Sequence, residues 1–308
     1  MRPVAVVADL HAHTTVTDGR LPPAEVIDLA AGIGLENLVF TDHSAVTFAS
    51  VVQYATTRGV RLPFPGMEVS TFLGKRKHHL LLYGSRLLDE SIERQLCFPI
   101  EAKLRTARLA HRELWRRGYR IAPLDEITAG GTSPDRPTPE KRFPSRTAFA
   151  LRVAESAGMR VPEAYDLVKA VFSGVEREAG LADRYLPTLG VLELAVSRGL
   201  TVCLAHPLWE CSSNGDVEEI CASLRQFTGL GMHGMESRSY HHRAFDDHPA
   251  LLRAGAELGL VPTGGSDFHG NGKTELGSGG MARDAFEAFS ALVGRNDRGS
   301  TASTGVAR

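Results

Sequence analysis

The sequence predicts an α/β protein built on a parallel sheet or barrel and interrupted by a mostly helical insertion. Three observations carry that expectation. Short apolar runs alternate with amphipathic stretches through the first ninety residues, and again after residue 200. The stretch between, about 97–188, has helical periodicity and no strand of core type. The apolar runs end, one after another, in His, Asp or Glu, as strand ends do where they converge on one face of a (β/α) barrel.

Taken in order, Val4-Ala5-Val6-Val7-Ala8 is a continuous apolar run of the kind found in buried parallel strands, and it leads into Asp9-Leu10-His11-Ala12-His13. Pro22 and Pro23 open a helix, Val26, Ile27, Ala30 and Ala31 give it an apolar face, and Gly32 and Gly34 end it. Leu38-Val39-Phe40 predicts a second strand ending in Thr41-Asp42-His43, with a helix expected from about Ala45 to Thr57. A third strand is expected around Leu62 to Phe64, closing on Gly66-Met67-Glu68. A fourth, Leu80 to Tyr83, follows His79. In the insertion Leu104, Ala107, Ala110 and Leu114 form the stripe of a helix from about Glu101 to Arg117. Further helices are expected from about Arg146 to Ala157 and Pro162 to Phe172. Strands resume at Val202-Cys203-Leu204 before Ala205-His206-Pro207, at Met232 to Met235, and at Leu260-Val261-Pro262 before Gly265-Ser266-Asp267-Phe268-His269. The division is therefore 1–96 for the first part of the α/β body, 97–188 for the insertion and 189–293 for the second part. The Gly-, Ser- and Thr-rich tail, 294–308, is expected to be disordered.

Composition narrows the function classes. The 308 residues are 43% hydrophobic and 23% charged, the balance of a globular chain rather than a disordered one. No apolar run approaches the ~18 residues of a membrane span. Residues Met1 to Asp9 carry no signal-peptide pattern, and the four cysteines are scattered, so a reducing, cytoplasmic setting is expected. The formal charge is −1, which excludes a globally basic nucleic-acid binder, yet Cys97 to Arg146 holds 11 Lys plus Arg against 6 Asp plus Glu. That excess reads as a solvated helix face or as a basic lid over an anionic substrate. Arg146 is the best single candidate for gripping phosphate, with His241, His242 and Lys273 as further candidates.

The 12 histidines are the unusual feature. His11-x-His13 and Asp267-x-His269 place two side chains on one side of an extended segment. Each segment alone has a plainer reading, such as a polar strand end, a capping pair or a core histidine. Repeated after one apolar run after another, they read as a single site. Imidazole and carboxylate together suit Zn, Mn or Fe rather than Ca.

At these residues the sequence resembles the polymerase and histidinol phosphatase (PHP) family. The resemblance rests on Asp9-Leu10-His11-Ala12-His13-Thr14 with Asp18-Gly19, on Thr41-Asp42-His43, on Gly66-Met67-Glu68, on Ala205-His206-Pro207 and on Gly265-Ser266-Asp267-Phe268-His269-Gly270. It looks closest to the stand-alone phosphoesterases that act on nucleotides and short RNA. That narrower likeness comes from Ser145 to Ala150, from Gly234-Met235-Glu236 followed by Tyr240-His241, and from Gly264 to Gly277. Such enzymes often read Arg-Pro-His where this chain reads Arg146-Thr147-Ala148.

The resemblance implies a distorted (β/α)7 TIM-like barrel and a site for two to three divalent transition metal ions (Mn, Zn or Fe). His11, His13, Glu68 and Asp267 would hold one ion. Glu68 would bridge to a second, shared with His79 and His206. Asp18, His43 and His269 would hold the third. Only one of the adjacent His78 and His79 can point inward, and His79 is preferred because it directly precedes the Leu80–Tyr83 run, where the family's ligand usually lies. Asp42 is expected to support its neighbour His43 or relay a proton, and His241 to act at the barrel mouth. The implied reaction is hydrolysis of a small phosphate monoester or nucleotide by a metal hydroxide attacking phosphorus. Three such ions against Asp18, Glu68 and Asp267 leave an excess of about +3, which attracts a phosphate dianion. The alternatives are a 5′→3′ exonuclease on short RNA and an amidohydrolase-like enzyme. The latter often needs a bridging lysine at a strand end, which this sequence lacks. A degenerate scaffold domain would have lost ligands, and all nine positions are filled. No membrane partner is expected.

Overall fold

The computed structural model describes residues 5–74, 76–128, 144–179, 185–208, 214–238 and 249–302. Its body is a mixed α/β fold in two sheets. In the first, β1 (Val6–Ala12) lies between β2 (Asn37–Phe40), which is parallel to it, and the two-residue β9 (Met281–Ala282), which is antiparallel. The second runs β5 (Leu186–Pro187), β3 (Gly66–Leu73), β4 (Arg76–Tyr83), β6 (Thr201–Leu204), β7 (Gly234–Arg238) and β8 (Val261–Gly264). Isolated parallel bridges, Ala12 to Phe268 and His43 to Glu68, join the two sheets.

The strands sit where the apolar runs predict, with three differences. The expected parallel arrangement is broken by β4, which is antiparallel to both β3 and β6. Leu73 pairs with Arg76, so the connection is too short for the crossover a parallel pair needs. Glu68 lies inside β3 rather than past the end of a strand at 62–64, because Pro63 and Pro65 cannot donate to a ladder and pairing begins at Gly66. The helix expected from residue 45 is confined to α2 (Val52–Thr57), since the chain before it wraps around Asp42.

Helices cover the outer faces. The apolar stripe of α1 (Pro23–Gly32) packs with α2 under β1 and β2 through Val26, Ile27, Leu38 and Phe40. Then come α3 (Glu90–Leu96), α8 (Thr188–Ser197), α9 (Asn214–Gly229) and α10 (Pro249–Glu257). They bury Leu80, Leu82, Val202, Leu204 and Met235 against Leu192, Leu224, Phe227 and Leu251. A last helix, α11 (Arg283–Ala302), closes the far side with Phe286, Phe289 and Val293. It runs through residues 294–302, which composition alone marks as disordered. Tertiary contacts hold them: Asn296 Nδ2 donates to Thr201 Oγ1 (2.8 Å), and Asp297 accepts from the Ser85 amide (3.1 Å).

The insertion is helical as expected, with α4 (Phe98–Arg116), α5 (Leu124–Thr128), α6 (Arg146–Ala157) and α7 (Val161–Glu178). Ala107, Ala110 and Leu114 of the predicted stripe pack with Phe149, Val153, Val168 and Phe172 in a core of their own. Ile100 and Leu104 meet Val16 and Ala45 of the α/β body.

Gly265 shows how closely the strand ends converge. A Cβ there would lie 2.4 Å from His11 Cβ and 2.6 Å from its amide nitrogen, so only glycine fits. Gly265→Ala is expected to cost ~1–3 kcal/mol in denaturant unfolding by forcing the two segments apart, and to reduce metal uptake because His11 moves. Gly174→Ala in α7, where an added methyl meets nothing within 4 Å, is expected to be neutral or stabilising by ~0.5–1 kcal/mol.

Candidate metal centre

Four strand ends and two loops bring the predicted ligands to one buried place. His11 stands on β1 and His13 one residue beyond it. Asp18 arrives on the loop after them, and His43 follows β2. Glu68 and His79 face each other from the β3–β4 hairpin, while His206, Asp267 and His269 follow β6 and β8. His79 turns inward, whereas His78 points to the other face of β4 and packs edge-on against Phe227.

The donor atoms form three overlapping groups. In the first, His11 Nε2 and His13 Nε2 are 3.1 Å apart, Asp267 Oδ1 is 3.3 and 3.1 Å from them, and Glu68 Oε2 is 3.2 Å from His13. In the second, Glu68 Oε1 is 2.6 Å from His79 Nδ1 and 3.1 Å from His206 Nε2. In the third, the Asp18 carboxylate is 3.3 Å from His43 Nε2 and 3.6 Å from both His269 Nε2 and His13 Nδ1. Glu68 thus gives one oxygen to each of two groups.

This donor set fits divalent cations. The ring nitrogen His13 Nδ1 is buried without a hydrogen-bond partner, His43 Nδ1 faces the Glu68 carboxylate at 3.1 Å, and the acceptor-rich atoms crowd together at distances that an ion between them would satisfy. The charges are coupled accordingly. Burial alone would raise the Glu68 and Asp18 pKa values, but the surrounding imidazoles hold both well below the usual carboxylate range. Burial would push His13 down, yet its hydrogen bonds to Asp267 and Glu68 and the charges of Glu68 and Asp18 bring it up to about 10.

Backbone geometry is unusual at the same place. Ser44, His206 and Asp267 have φ of 51°, 22° and 50°, left-handed values rare outside glycine. Strain of this kind persists where surrounding bonds over-determine the conformation. Asp42 does part of that. Its carboxylate accepts from the Thr14 amide and from the hydroxyls of Thr14, Thr17 and Thr47, at 2.6–2.9 Å. It pins the two loops that carry Asp18 and His43, and it does not line the cavity above the ligands.

Residues beyond the predicted set also build the centre. Asp9 accepts from the amides of His11, Ser266 and Gly277 and from the Ser266 hydroxyl, tying β1 to the loop after β8. Glu236 accepts from the His206 amide and contacts His11 Nδ1. Ser70 Oγ lies 3.2 Å from His79 Nε2. Asp9 and Glu236 each sit inside a quoted motif, but nothing in sequence spacing distinguishes a carboxylate that supports a ligand from one that is a ligand.

Above the ligands opens a cavity of about 350 Å³. Its far wall comes from the insertion and includes Lys103, Arg146, Tyr165 and Tyr185, with Lys77 and Lys273 from the body. Arg146 stacks over Phe172 and lies 3.5 Å from Glu176. Burial, with Lys77 and Arg146 nearby, brings the Lys103 ammonium down to about 8, against the pull of Asp18 and Glu68. Lys103 sits one position before the apolar stripe of α4, where a lysine reads as solvated, so nothing in its spacing marks it for a site. His241 and His242 lie outside the described residues.

No family model matches the chain. It is 26% identical over 274 residues to the phosphoribosyl 1,2-cyclic phosphate 1,2-diphosphodiesterase of Eggerthella lenta, covering 86% of this chain and 95% of the relative. It is 27% identical over 270 residues to the 3′,5′-nucleoside bisphosphate phosphatase of Chromobacterium violaceum, covering 86% and 88%. Among solved structures it resembles a metal-dependent phosphoesterase from Bifidobacterium adolescentis, with a TM-score of 0.70 and 21% identity over 94% of this chain and 98% of that one, a likeness of fold. The relatives are hydrolases of phosphate esters, and the chain is an enzyme of that class. The relatives are phosphoesterases by name, the class that the sequence resemblance to the PHP family implies.

Metal binding should release protons. In the metal-free chain, a His13 pKa raised from 6.5 to about 10 contributes stability that is complete below 6.5 and is lost as pH rises toward 10. A metal needs the neutral ring, so its apparent affinity rises over the same window. The chelated protein is expected to melt progressively lower from about pH 7 to about pH 10. The metal-loaded protein should not. Calorimetric metal titration near neutral pH, in buffers of different ionisation enthalpy, should report about one released proton or more per chain.

Proposed function

We propose that the protein is a metal-dependent phosphoesterase that hydrolyses a small phosphate monoester or nucleotide. The observation that carries this reading is the junction of two chemistries in one cavity: a floor of seven imidazole and carboxylate side chains, with His11 and His13 buried beneath it, and a wall of lysine and arginine. The two parallel bridges between the sheets support reading the body as a distorted seven-stranded barrel with the site at the C-terminal ends of its strands.

In this reading His11, His13, Glu68 and Asp267 hold one ion. Glu68, His79 and His206 hold a second, and Asp18, His43 and His269, joined by the free face of His13, hold a third. Two to three Mn, Zn or Fe ions suit such donors. Divalent ions, when bound there, supply Lewis acidity and make water a nucleophile near neutral pH. The chain's own residues do the rest. Arg146 and Lys103 face the floor across the cavity and bind phosphoryl oxygens or a second anionic group. Tyr165 and Tyr185 offer flat apolar surface to the organic half of the substrate, and the insertion limits the space available to it. Asp42 acts by holding the ligand loops rather than by meeting substrate. Four scattered cysteines, too few for a disulfide framework, are in keeping with the cytoplasmic setting proposed here, and no helix among the described residues is long and apolar enough to cross a membrane.

The test is a screen of Mn-loaded protein against phosphate monoesters, mononucleotides, nucleoside bisphosphates, cyclic phosphodiesters and short oligoribonucleotides. Phosphate release from small esters, with ¹⁸O from labelled water recovered in the phosphate, is the expected result. Release confined to oligonucleotides would identify an exonuclease instead. No hydrolysis of any ester would overturn the reading.

Arg146→Ala should lower kcat/KM roughly 10- to 1,000-fold, the equivalent of ~1.5–4 kcal/mol for one charged contact in a partly desolvated site. Metal content should be unchanged, and Arg146→Lys should recover only part of the loss because an ammonium lacks the planar fork. His269→Ala should instead lower metal content by about one ion and leave the fold intact.

A further inference from the structure

Glu236 has no part in the reading above, yet it is one of the most deeply buried carboxylates in the molecule, 1% exposed. It stands on β7 between β6 and β8 and does not line the cavity, so it meets neither substrate nor solvent. Its oxygens are divided. Oε1 lies 3.0 Å from His11 Nδ1, and Oε2 accepts the His206 amide at 2.7 Å. Those residues belong to different ligand groups and come from different strands.

Each contact constrains one ligand. A carboxylate has no proton to give, so the proton in the His11 contact sits on Nδ1, and the Nε2 lone pair is left for the centre. Nε2 is the atom that lies 3.1–3.3 Å from His13 and Asp267. The His206 amide belongs to a backbone with φ of 22°, which a non-glycine residue holds only under constraint. The 2.7 Å bond from that amide supplies it and turns the His206 ring toward Glu68 and His79.

We propose that Glu236 is a positioning residue for the metal centre: it sets the tautomer of His11 and locks the strained backbone of His206, so that one buried side chain prepares two ion sites. This rests on the metal-centre reading above. A glutamine cannot do both jobs. It has one acceptor and one donor, whereas Glu236 needs two acceptors. The His206 amide can only donate, so the glutamine oxygen would serve it. The glutamine NH₂ would then face His11 Nδ1, forcing the other tautomer and placing an N–H where the ligand lone pair belongs.

The experiment compares wild type and Glu236→Gln after chelation and titration with Zn²⁺, reading stoichiometry, affinity and metal-free melting. One equivalent is expected to bind 10- to 100-fold more weakly in Glu236→Gln, roughly the cost of losing a support for a ligating histidine, with metal-free melting close to wild type. Wild-type affinity for every equivalent would overturn the inference. A second measurement needs no folded variant. Long-range ¹H–¹⁵N correlation on the Zn-loaded wild type, with His11 assigned by its loss in His11→Asn, should show a protonated Nδ1 and a metal-bound Nε2. The opposite tautomer would overturn the inference even if Glu236→Gln fails to fold. A wild type that takes up no Zn²⁺ brings down the metal reading itself. A wild type that loads fully beside an equally loaded Glu236→Gln brings down only the role of Glu236.

Discussion

Glu68 gives one oxygen to His11 and His13 and the other to His79 and His206, and most of the architecture serves to keep it there. A carboxylate buried this deeply costs several kcal/mol unless charge and hydrogen bonds compensate it. The compensation comes from four other segments of chain, each delivered by a different strand. The β3–β4 hairpin puts Glu68 and His79 on one face. The parallel bridge at His43 closes the sheet edge beside them, and the contact of Gly265 with His11 presses the first and last strands together. The body is therefore organised around compensation of buried carboxylates by imidazoles, with the apolar clusters holding the strands that deliver them.

That logic explains why the ligands were legible in the sequence and their supports were not. A ligand must be His, Asp or Glu at a strand end, and such residues stand out after apolar runs such as Leu38-Val39-Phe40. The nine residues read from sequence as candidate ligands lie together in the structure, beside carboxylates that the reading did not include. Asp9, Asp42 and Glu236 are acidic residues in the same motifs, and only the direction of their side chains separates them from ligands. Asp42 points to three threonines, Asp9 to three amides, and Glu236 to one ring and one amide.

The fold was legible where periodicity decides it and illegible where long-range contact does. The helices of the insertion follow from the stripe Ala107, Ala110 and Leu114 and from the Ser145 cap, whose hydroxyl accepts from the Ala148 amide. The reversal of β4 does not, because a strand's direction depends on the length of its connection rather than on its composition. Residues 294–302 have the composition of a loose tail, and they are helical because Thr201 and Ser85 hold the side chains of Asn296 and Asp297.

The separate core of the insertion has a consequence for how such an enzyme changes over generations. Arg146 and Lys103 stand on helices whose apolar faces pack mainly on one another, and the insertion meets the body at Ile100 and Leu104 and again where β5 pairs with β3. A substitution that tilts α6 or swaps a wall residue alters what the cavity admits while leaving the strand ends undisturbed. What such an enzyme accepts can thus drift through its insertion while the residues at the strand ends stay as they are.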